Sequence, residues 1–153
     1  MINSRHISKE NKVLETPCRP CQEFSSIYLS NIAHSLSVAV KTAPNAIAVA
    51  ANQLLRTPKN KPAGLPACFY YNGELICDPE YTIILPKTPT KEGCLSDAGI
   101  TRKPMRSPMI QATFRVFKAD KLGKFQTKIL TGLDAQVFQH ETDHLHGLGI
   151  WML

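Results

Sequence analysis

The sequence lacks any long apolar run. Its 153 residues are 43% hydrophobic and 20% charged, yet no stretch approaches the roughly 20 apolar residues that a membrane-spanning helix needs. The first twenty residues, MINSRHISKENKVLETPCRP, contain no hydrophobic segment of the kind found in a secretion signal, and Glu10 and Glu15 argue against an organelle transit peptide. We therefore expect a cytoplasmic protein with no membrane span, folded as one domain over residues 1–153.

Acidic residues are scarce relative to basic ones, 12 against 18, and the formal net charge is +6 at pH 7. The basic residues gather in RTPKNKP (56–62), TRKPMR (101–106) and KADKLGK (118–124). These segments are either ordinary solvated loops or a surface with a weak attraction to RNA or to a ribosome. No aromatic residues alternate with the charges and no nucleic-acid-binding motif is present, so we expect no sequence-specific binding to nucleic acid.

Disulfides are not expected, because the five cysteines are an odd number in a chain without a secretion signal. Cys18 and Cys21 have thioredoxin-like spacing, but no strand precedes them and no helix starts at the first of them. A redox role is therefore not expected for this pair. A zinc site built on this pair would need two more ligands, which the sequence does not mark. Cys68 and Cys77 lie in strand-like runs and are predicted to be small buried side chains.

An amphipathic helix is predicted for SSIYLSNIAHSLSVAVKTAP, because its apolar residues recur at helical spacing until Pro44 ends the run. The predicted apolar stripe consists of Ile27, Tyr28, Ile32, Leu36, Ala39, Val40 and Ala43.

Two antiparallel strand pairs are predicted further along the chain. LPACFYYNGELICDPEYTIILP has a tight-turn signal at Asn72–Gly73, and PMIQATFRVFKA is followed by GKFQTKIL across a turn at Asp120–Gly123. The predicted fold class is α+β, with antiparallel β-sheets packed around a central C-terminal helix and an additional N-terminal amphipathic helix.

The C-terminal helix is predicted to begin near Thr131, whose hydroxyl can cap it together with Asp134 as a capping box, and to end at Gly147. One face of this helix carries a stripe that would otherwise be plain core: Leu133, Val137, His140, Glu141, His144 and Leu148. Three other polar residues lie off the stripe and are predicted to be solvated: Gln139, Asp143 and His146.

The stripe includes His140-Glu141-x-x-His144, in which two imidazoles and a carboxylate project from one helix face. An unpaired buried carboxylate beside two imidazoles would be costly, so a bound cation is favoured over ordinary buried histidines. A third ligand downstream is not expected, because nine residues follow His144 and the place of a third histidine is taken by Ile150.

The upstream stretch KEGCLSDAG (91–99) is the one place where a cysteine lies among glycine and acidic residues. Cys94 is therefore the candidate third ligand. A Cys-His-His set leaves the fourth tetrahedral position to water, as in a catalytic rather than a structural site.

At this point the sequence resembles the peptide deformylases, whose second and third motifs are similar to EGCLS (92–96) and HETDH (140–144). The resemblance covers roughly residues 12–151. The family's first motif, G-x-G-x-A-A-x-Q, is similar to residues 46–53, but Ala46 and Ala48 replace both glycines and Asn52 stands where proline is frequent. We expect the alanines to lie in extended backbone and to narrow the substrate groove. The chain also resembles a short form of the family without a C-terminal helical extension, such as phage-encoded members.

The resemblance implies a hydrolase that removes the N-formyl group from the formylmethionine of nascent polypeptides and releases formate. It implies one divalent metal ion, Fe²⁺ in vivo, with Zn²⁺, Ni²⁺ or Co²⁺ able to replace it in purified protein. The implied ligands are Cys94, His140 and His144. Glu141 would act as general base and acid, and an oxyanion hole would be formed by the side chain of Gln53 and the backbone N–H of Leu95.

The substrate peptide is expected to lie as an extended strand beside Ile47 and Ala48, with its methionine side chain in a pocket lined by Leu133 and Val137. Plain core packing is the alternative for Leu133 and Val137. Glu92 is expected to pair with a basic neighbour such as Arg102 or Arg106.

Two other functions compete with the removal of a formyl group. One is a related metallohydrolase acting on another small N-acyl group, favoured by Ala46 and Ala48. The other is a catalytically idle metal-binding module, which would need neither Glu141 nor Gln53.

Overall fold

A computed structural model describes Lys9, residues 12–54 and residues 64–153. The described chain has two α-helices, α1 (Ser26–Thr42) and α2 (Gly132–Leu145). Its strands are β1 (Ala48–Ala50), β2 (Cys68–Tyr71), β3 (Glu74–Ile83), β4 (Thr88–Pro89), β5 (Met105–Arg106), β6 (Met109–Lys118), β7 (Lys121–Leu122) and β8 (Gln126–Thr131). Short 3-10 helices span Lys12–Glu15, Cys21–Glu23, Ala51–Gln53, Leu95–Asp97 and Ile150–Met152. No helix among the described residues has the length and apolar character needed to span a membrane.

Six strands form one antiparallel sheet in the order β1-β2-β3-β6-β7, with β8 also paired to β6. β8 follows the first part of β6, and β7 pairs only with its end at Phe117 and Lys118. β4 and β5 form a separate two-stranded pair. The predicted α+β class with antiparallel sheets and a C-terminal helix is confirmed.

The turns of the two hairpins use backbone in the left-handed region. Asn72 (φ 51°) and Gly73 (φ 81°) form the predicted turn between β2 and β3. The second prediction was wrong: the tight turn lies at Ala119 (φ 51°) and Asp120 (φ 59°), not at Asp120–Gly123. The reason is that Lys121 and Leu122 already pair with the end of β6 as β7, before the chain turns away to form β8.

Helix α1 packs on one face of the sheet. Its buried residues, Leu29, Ile32, Leu36 and Ala39, contact a core that includes Val49, Cys68, Leu75 and Cys77. Ser25 caps the helix by accepting a hydrogen bond from the Tyr28 N–H (3.1 Å), and the helix ends before Pro44 as predicted. Ile27 was wrongly assigned to the apolar stripe: it is 76% exposed, and Leu29 is buried instead.

Helix α2 packs on the opposite face of the sheet. Its core partners follow from strand alternation, because neighbouring residues point to opposite faces. Cys68, Leu75 and Cys77 face α1, whereas Phe69 and Ile76 join the α2 core. That core consists of Ala50, Phe69, Ile76, Ile110, Ala112, Phe114, Ala135, Phe138 and Leu145.

The two ends of α2 differ in how well the sequence predicted them. Thr131 is the N-cap residue but its side chain makes no capping hydrogen bond, so the predicted capping box is wrong. Asp134 instead accepts a hydrogen bond from the Tyr71 hydroxyl (2.6 Å). At the other end Gly147 has φ 82°, and its N–H bonds to His144 O (3.0 Å) in a C-terminal motif that needs a residue in the left-handed region. The C-terminal prediction is confirmed.

Candidate metal centre

The cysteine and the two histidines singled out in the sequence meet in space. The ligand atoms of Cys94, His140 and His144 all lie within 4.8 Å of one another, and no other group of metal-ligating side chains in the described part of the chain is this compact. Cys94 Sγ is 3.2 Å from His144 Nε2. Fifty residues of sequence separate these two, so it is the fold that brings them together.

The loop that carries Cys94 is held on both sides of the cysteine. Glu92 pairs backbone to backbone with Arg102 through two hydrogen bonds of 2.9 Å. After Cys94, the Asp97 N–H bonds to Cys94 O (3.0 Å), and the buried Asp97 carboxylate pairs with Arg102 and Lys9. These contacts fix the backbone of the turn that carries the Cys94 thiol.

His140 is oriented by a buried carboxylate. Glu92 Oε1 lies 2.8 Å from His140 Nδ1, which leaves Nε2 as the nitrogen available to a metal. Arg106 donates to both oxygens of Glu92, at 3.0 and 3.1 Å. Of the two expected partners of Glu92, Arg106 is confirmed as the ion pair, whereas the Arg102 side chain pairs with Asp97. Burial opposes ionisation of Glu92, but hydrogen bonds from His140 and Arg106 prevail and lower its pKa to about 2.

Gln139 and Asp143 were wrongly predicted to be solvated. Both are buried, because α2 lies between the large sheet on one side and the β4–β5 region on the other. Asp143 accepts hydrogen bonds from Arg106 (2.5 Å) and from the Tyr81 hydroxyl (2.9 Å). The Gln139 side chain accepts from Ser107 N (3.0 Å) and donates to Ser107 O (2.8 Å). Helical periodicity identifies one apolar stripe and gives no signal for this second buried face.

The other positions that the sequence assigned to the C-terminal helix divide between burial and exposure. His146 is exposed as expected, 3.2 Å from Glu80. Leu133 and Leu148, assigned to the inward stripe, are 58% and 40% exposed. His144 is fully buried, and the ring of Trp151, which the sequence did not single out, lies 5.9 Å away from it between centroids.

Glu141 combines burial with an unpaired oxygen. Burial raises its pKa to about 7, and Oε2 makes no hydrogen bond within the described residues. Its Oε1 lies 4.0 Å from His140 Nε2. A carboxyl group with these properties can both accept and donate a proton near neutral pH.

Two polar residues of the 3-10 helix Ala51–Gln53 reach the same centre. The Gln53 amide nitrogen lies 3.3 Å from Cys94 Sγ and 3.2 Å from Ser96 Oγ, while its oxygen accepts from Ala50 N (3.0 Å). Asn52, buried beside it, donates to His144 O. The segment Ala51–Gln53 is thus tied to both the cysteine loop and α2.

A cavity of about 750 Å³ opens beside these groups. Gln53, Cys94, Leu95, His140 and Glu141 line it, and so do the four predicted substrate-binding residues, Ile47, Ala48, Leu133 and Val137.

β1, which borders the cavity, pairs with β2 alone among the described strands and so leaves one edge without a strand. Ala48 lies in β1, in line with the extended backbone expected for it, and neither Ala46 nor Ala48 has positive φ.

The donor set fits a first-row divalent ion. One thiolate and two imidazole nitrogens are typical ligands of such ions, and three protein ligands leave a position open toward the cavity. Glu141 lines the same cavity, and its Oε2 has no hydrogen-bond partner among the described residues. The fold and the site together define the class of open metal centre that metal-dependent hydrolases use.

The chain belongs to the polypeptide deformylase family, whose family model matches residues 5–152. It is similar to a peptide deformylase of Synechococcus sp. strain CC9311, with 37% identity over 75 residues, which is 48% of this chain and 35% of that protein. The chain covers less than half the length of the curated relatives that it matches.

Solved structures share the fold at lower sequence identity. A class I type b peptide deformylase from Acinetobacter baumannii superposes with a TM-score of 0.80 at 19% identity, covering 100% of this chain and 99% of that one. A probable peptide deformylase from Synechococcus phage S-SSM7 gives a TM-score of 0.76 at 24% identity, covering 95% and 96% of the two chains.

Proposed function

We propose that the chain is a metal-dependent deformylase that hydrolyses the N-formyl group of formylmethionyl peptides and releases formate. The observation that carries the proposal is the position of Glu141 beside the Cys94–His140–His144 set, at a cavity bordered by the free edge of β1. Cys94, His140 and His144 would hold one divalent ion, and we propose Fe²⁺ as the ion used in vivo. Bound there, the ion would supply Lewis acidity, lowering the pKa of a bound water and polarising the formyl oxygen.

Glu141 is the residue proposed to move the proton. Burial raises the pKa of this carboxyl group, and a carboxylate beside the ligand set would accept a proton from the attacking water and return it to the departing amine. Glu92 and Arg106 act behind it by keeping His140 Nδ1 engaged, so that the imidazole presents Nε2. Their proposed role is to position a metal ligand.

Charge that develops on the formyl oxygen would be stabilised by Gln53 and Leu95. The Gln53 side chain lines the cavity with its amide nitrogen next to Cys94 Sγ, and the Leu95 N–H makes no hydrogen bond within the described residues. The peptide would add as a strand to the open edge of β1, beside Ile47 and Ala48. Leu133 and Val137 are proposed to contact the methionine side chain.

Formate release decides between the proposed function and its competitors. Anaerobically purified protein is assayed on formyl-Met-Ala-Ser and on acetyl-Met-Ala-Ser, with Glu141→Ala as the inactive control. Formate release from the first peptide alone supports the proposal. Preferred hydrolysis of the acetyl peptide would assign the chain to another N-acyl substrate, and no hydrolysis of either would make it an idle metal-binding module.

Association with a ribosome is a proposal that fewer basic residues support than the sequence indicated. In the segment 101–106, Arg102 and Arg106 pair with acidic groups of the chain itself. The segment 56–62 lies outside the described residues. The lysines of 118–124 are the described basic segment that such an association would use, and salt-dependent co-sedimentation with ribosomes tests it. The cytoplasmic location and the single domain over residues 1–153 also stay predictions.

A further inference from the structure

The four cysteines outside the metal centre converge on one side of the sheet. Cys68 and Cys77 are paired residues on β2 and β3, and both side chains face α1. Directly opposed residues of an antiparallel pair project from the same face with their Cβ atoms about 5 Å apart. Cys18 and Cys21 belong to the same packed cluster. They come from a distant part of the sequence, since Cys21 is 46 residues away from Ala67, the residue just before β2.

The segment that carries Cys18 and Cys21 is fixed against the hairpin by its backbone. Arg19 N bonds to Leu65 O and Ala67 N bonds to Arg19 O, both at 2.8 Å, just before β2 begins. The Cys21 thiol donates to Ala67 O at 3.3 Å. The cysteine pair is therefore held beside the strand that supplies Cys68.

A β-bulge in β3 provides a further hydrogen bond to the segment that carries Cys21. The register of β3 shifts between Cys77 and Glu80, and Asp78 adopts φ 49°, a conformation that non-glycine residues rarely take. This turns its carboxylate to accept a hydrogen bond from the Cys21 N–H (2.8 Å). The strained residue next to Cys77 thus orients the backbone of Cys21.

The thiols interact with one another. Hydrogen bonding with Cys68 and Cys77 lowers the pKa of Cys21, whereas hydrogen bonding with Cys21 and burial raise the pKa of Cys68. Burial raises the pKa of Cys18 to about 12. Cys21, Cys68 and Cys77 are completely buried. A single buried cysteine is an ordinary small apolar side chain, but four from two separate segments form a complete set of soft ligands.

We propose that Cys18, Cys21, Cys68 and Cys77 bind one zinc ion as a second, structural metal site. The C-x-x-C spacing of the first two is typical of such sites, and four protein ligands leave no position for water. The site does not depend on the proposed hydrolysis. Its role is to fasten the segment before α1 to the β2–β3 hairpin.

Zinc binding requires the sulfur atoms to draw closer. Among the described residues, only the Cys94 set has its ligand atoms all within 4.8 Å of one another, whereas thiolates on one zinc ion, at about 2.3 Å each, lie roughly 3.8 Å apart. The proposal assigns this movement to rotation about the Cα–Cβ bonds of the four cysteines, whose two segments are already joined by backbone hydrogen bonds.

Metal counting on Cys94→Ala isolates the second site, because this variant removes a ligand of the first. Protein loaded with zinc and passed through metal-free buffer should keep one zinc ion per chain, and lose it when Cys68→Ser is added. The matched control adds Ala39→Ser instead, which places a hydroxyl in the same buried cluster without touching a thiol and should keep the zinc. A chelator should lower the Tm of Cys94→Ala and leave that of the Cys68→Ser double variant unchanged.

The unaltered protein provides a second measurement in case a serine variant fails to fold. It should hold two metal ions per chain, and titration with a mercurial should release zinc in step with modification of the four thiols. One metal ion per chain together with four free thiols would show plain core cysteines and overturn the proposal. One metal ion together with thiols that become titratable only after reduction would show disulfides and overturn it equally.

Discussion

Arg106 bridges two buried carboxylates behind the metal centre, and its removal should be among the most damaging single changes outside the ligands. The side chains of Arg106, Glu92 and Asp143 are 3%, 4% and 11% exposed. Arg106→Met keeps much of the buried volume but leaves both carboxylates without their cation. Removing one partner of a buried ion pair costs about 3–5 kcal/mol.

The two carboxylates keep other contacts in Arg106→Met, and these contacts hold the expected loss of stability near this range. Glu92 keeps Thr90 and His140, and Asp143 keeps the Tyr81 hydroxyl. The three lost hydrogen bonds are charge-assisted, each worth about 1.5–3 kcal/mol, and their plain sum would therefore overstate the loss. We expect Arg106→Met to lower the free energy of unfolding by about 3–5 kcal/mol, and the affinity for metal about 10- to 100-fold through His140.

Urea denaturation in the presence of a chelator measures the free energy of unfolding without a contribution from bound metal. Arg102→Met is the matched control: it removes a partly exposed arginine from the buried Asp97 carboxylate, which keeps Lys9, and should lose clearly less stability. Adding Glu92→Gln to Arg106→Met neutralises one stranded carboxylate and should recover at least about 1 kcal/mol. A loss below about 1 kcal/mol in Arg106→Met, or no recovery in the double variant, would refute the account of this network.

Three further predictions concern the centre itself. Cys94→Ala should lower the metal content by one ion per chain relative to the unaltered protein, and an unchanged content in elemental analysis would remove Cys94 from the ligand set. Glu141→Ala should keep that metal but lose nearly all formate release, since the carboxylate moves protons and does not bind the ion; turnover within about tenfold of the unaltered protein would contradict this role. Ala46→Gly with Ala48→Gly should raise kcat/KM more for formyl-Met-Phe than for formyl-Met-Ala, by the 1–3 kcal/mol typical of about one methylene's worth of fit, and should lower stability by roughly 0.4–1 kcal/mol per site. Equal changes for the two peptides would show that the alanines do not shape the groove, and a gain in stability would show strained backbone at these positions.

The order of elements and the candidate ligands were accessible from the sequence because each has a local signal. Helical spacing places His140, Glu141 and His144 on one face, and the left-handed preference of Asn72–Gly73 marks a hairpin. Cys94 stood out because its neighbours are glycine and acidic residues rather than apolar ones. None of these inferences needs a contact between distant parts of the chain.

Burial of polar residues was decided by the tertiary structure. Gln139 and Asp143 have the sequence pattern of a solvated helix face. They can be buried because Ser107, Arg106 and Tyr81, which belong to other parts of the chain, form hydrogen bonds with them. Thr131 is likewise an ordinary N-cap residue whose predicted partner Asp134 bonds to Tyr71 instead.

The four remaining cysteines show the same division. Sequence spacing links Cys18 to Cys21 but says nothing of Cys68 and Cys77, because the register of β2 against β3 and the docking of the N-terminal segment are long-range choices. Local propensity acts over a few residues, whereas the partner of a buried polar or thiol group is chosen by whichever distant segment the packed core brings beside it.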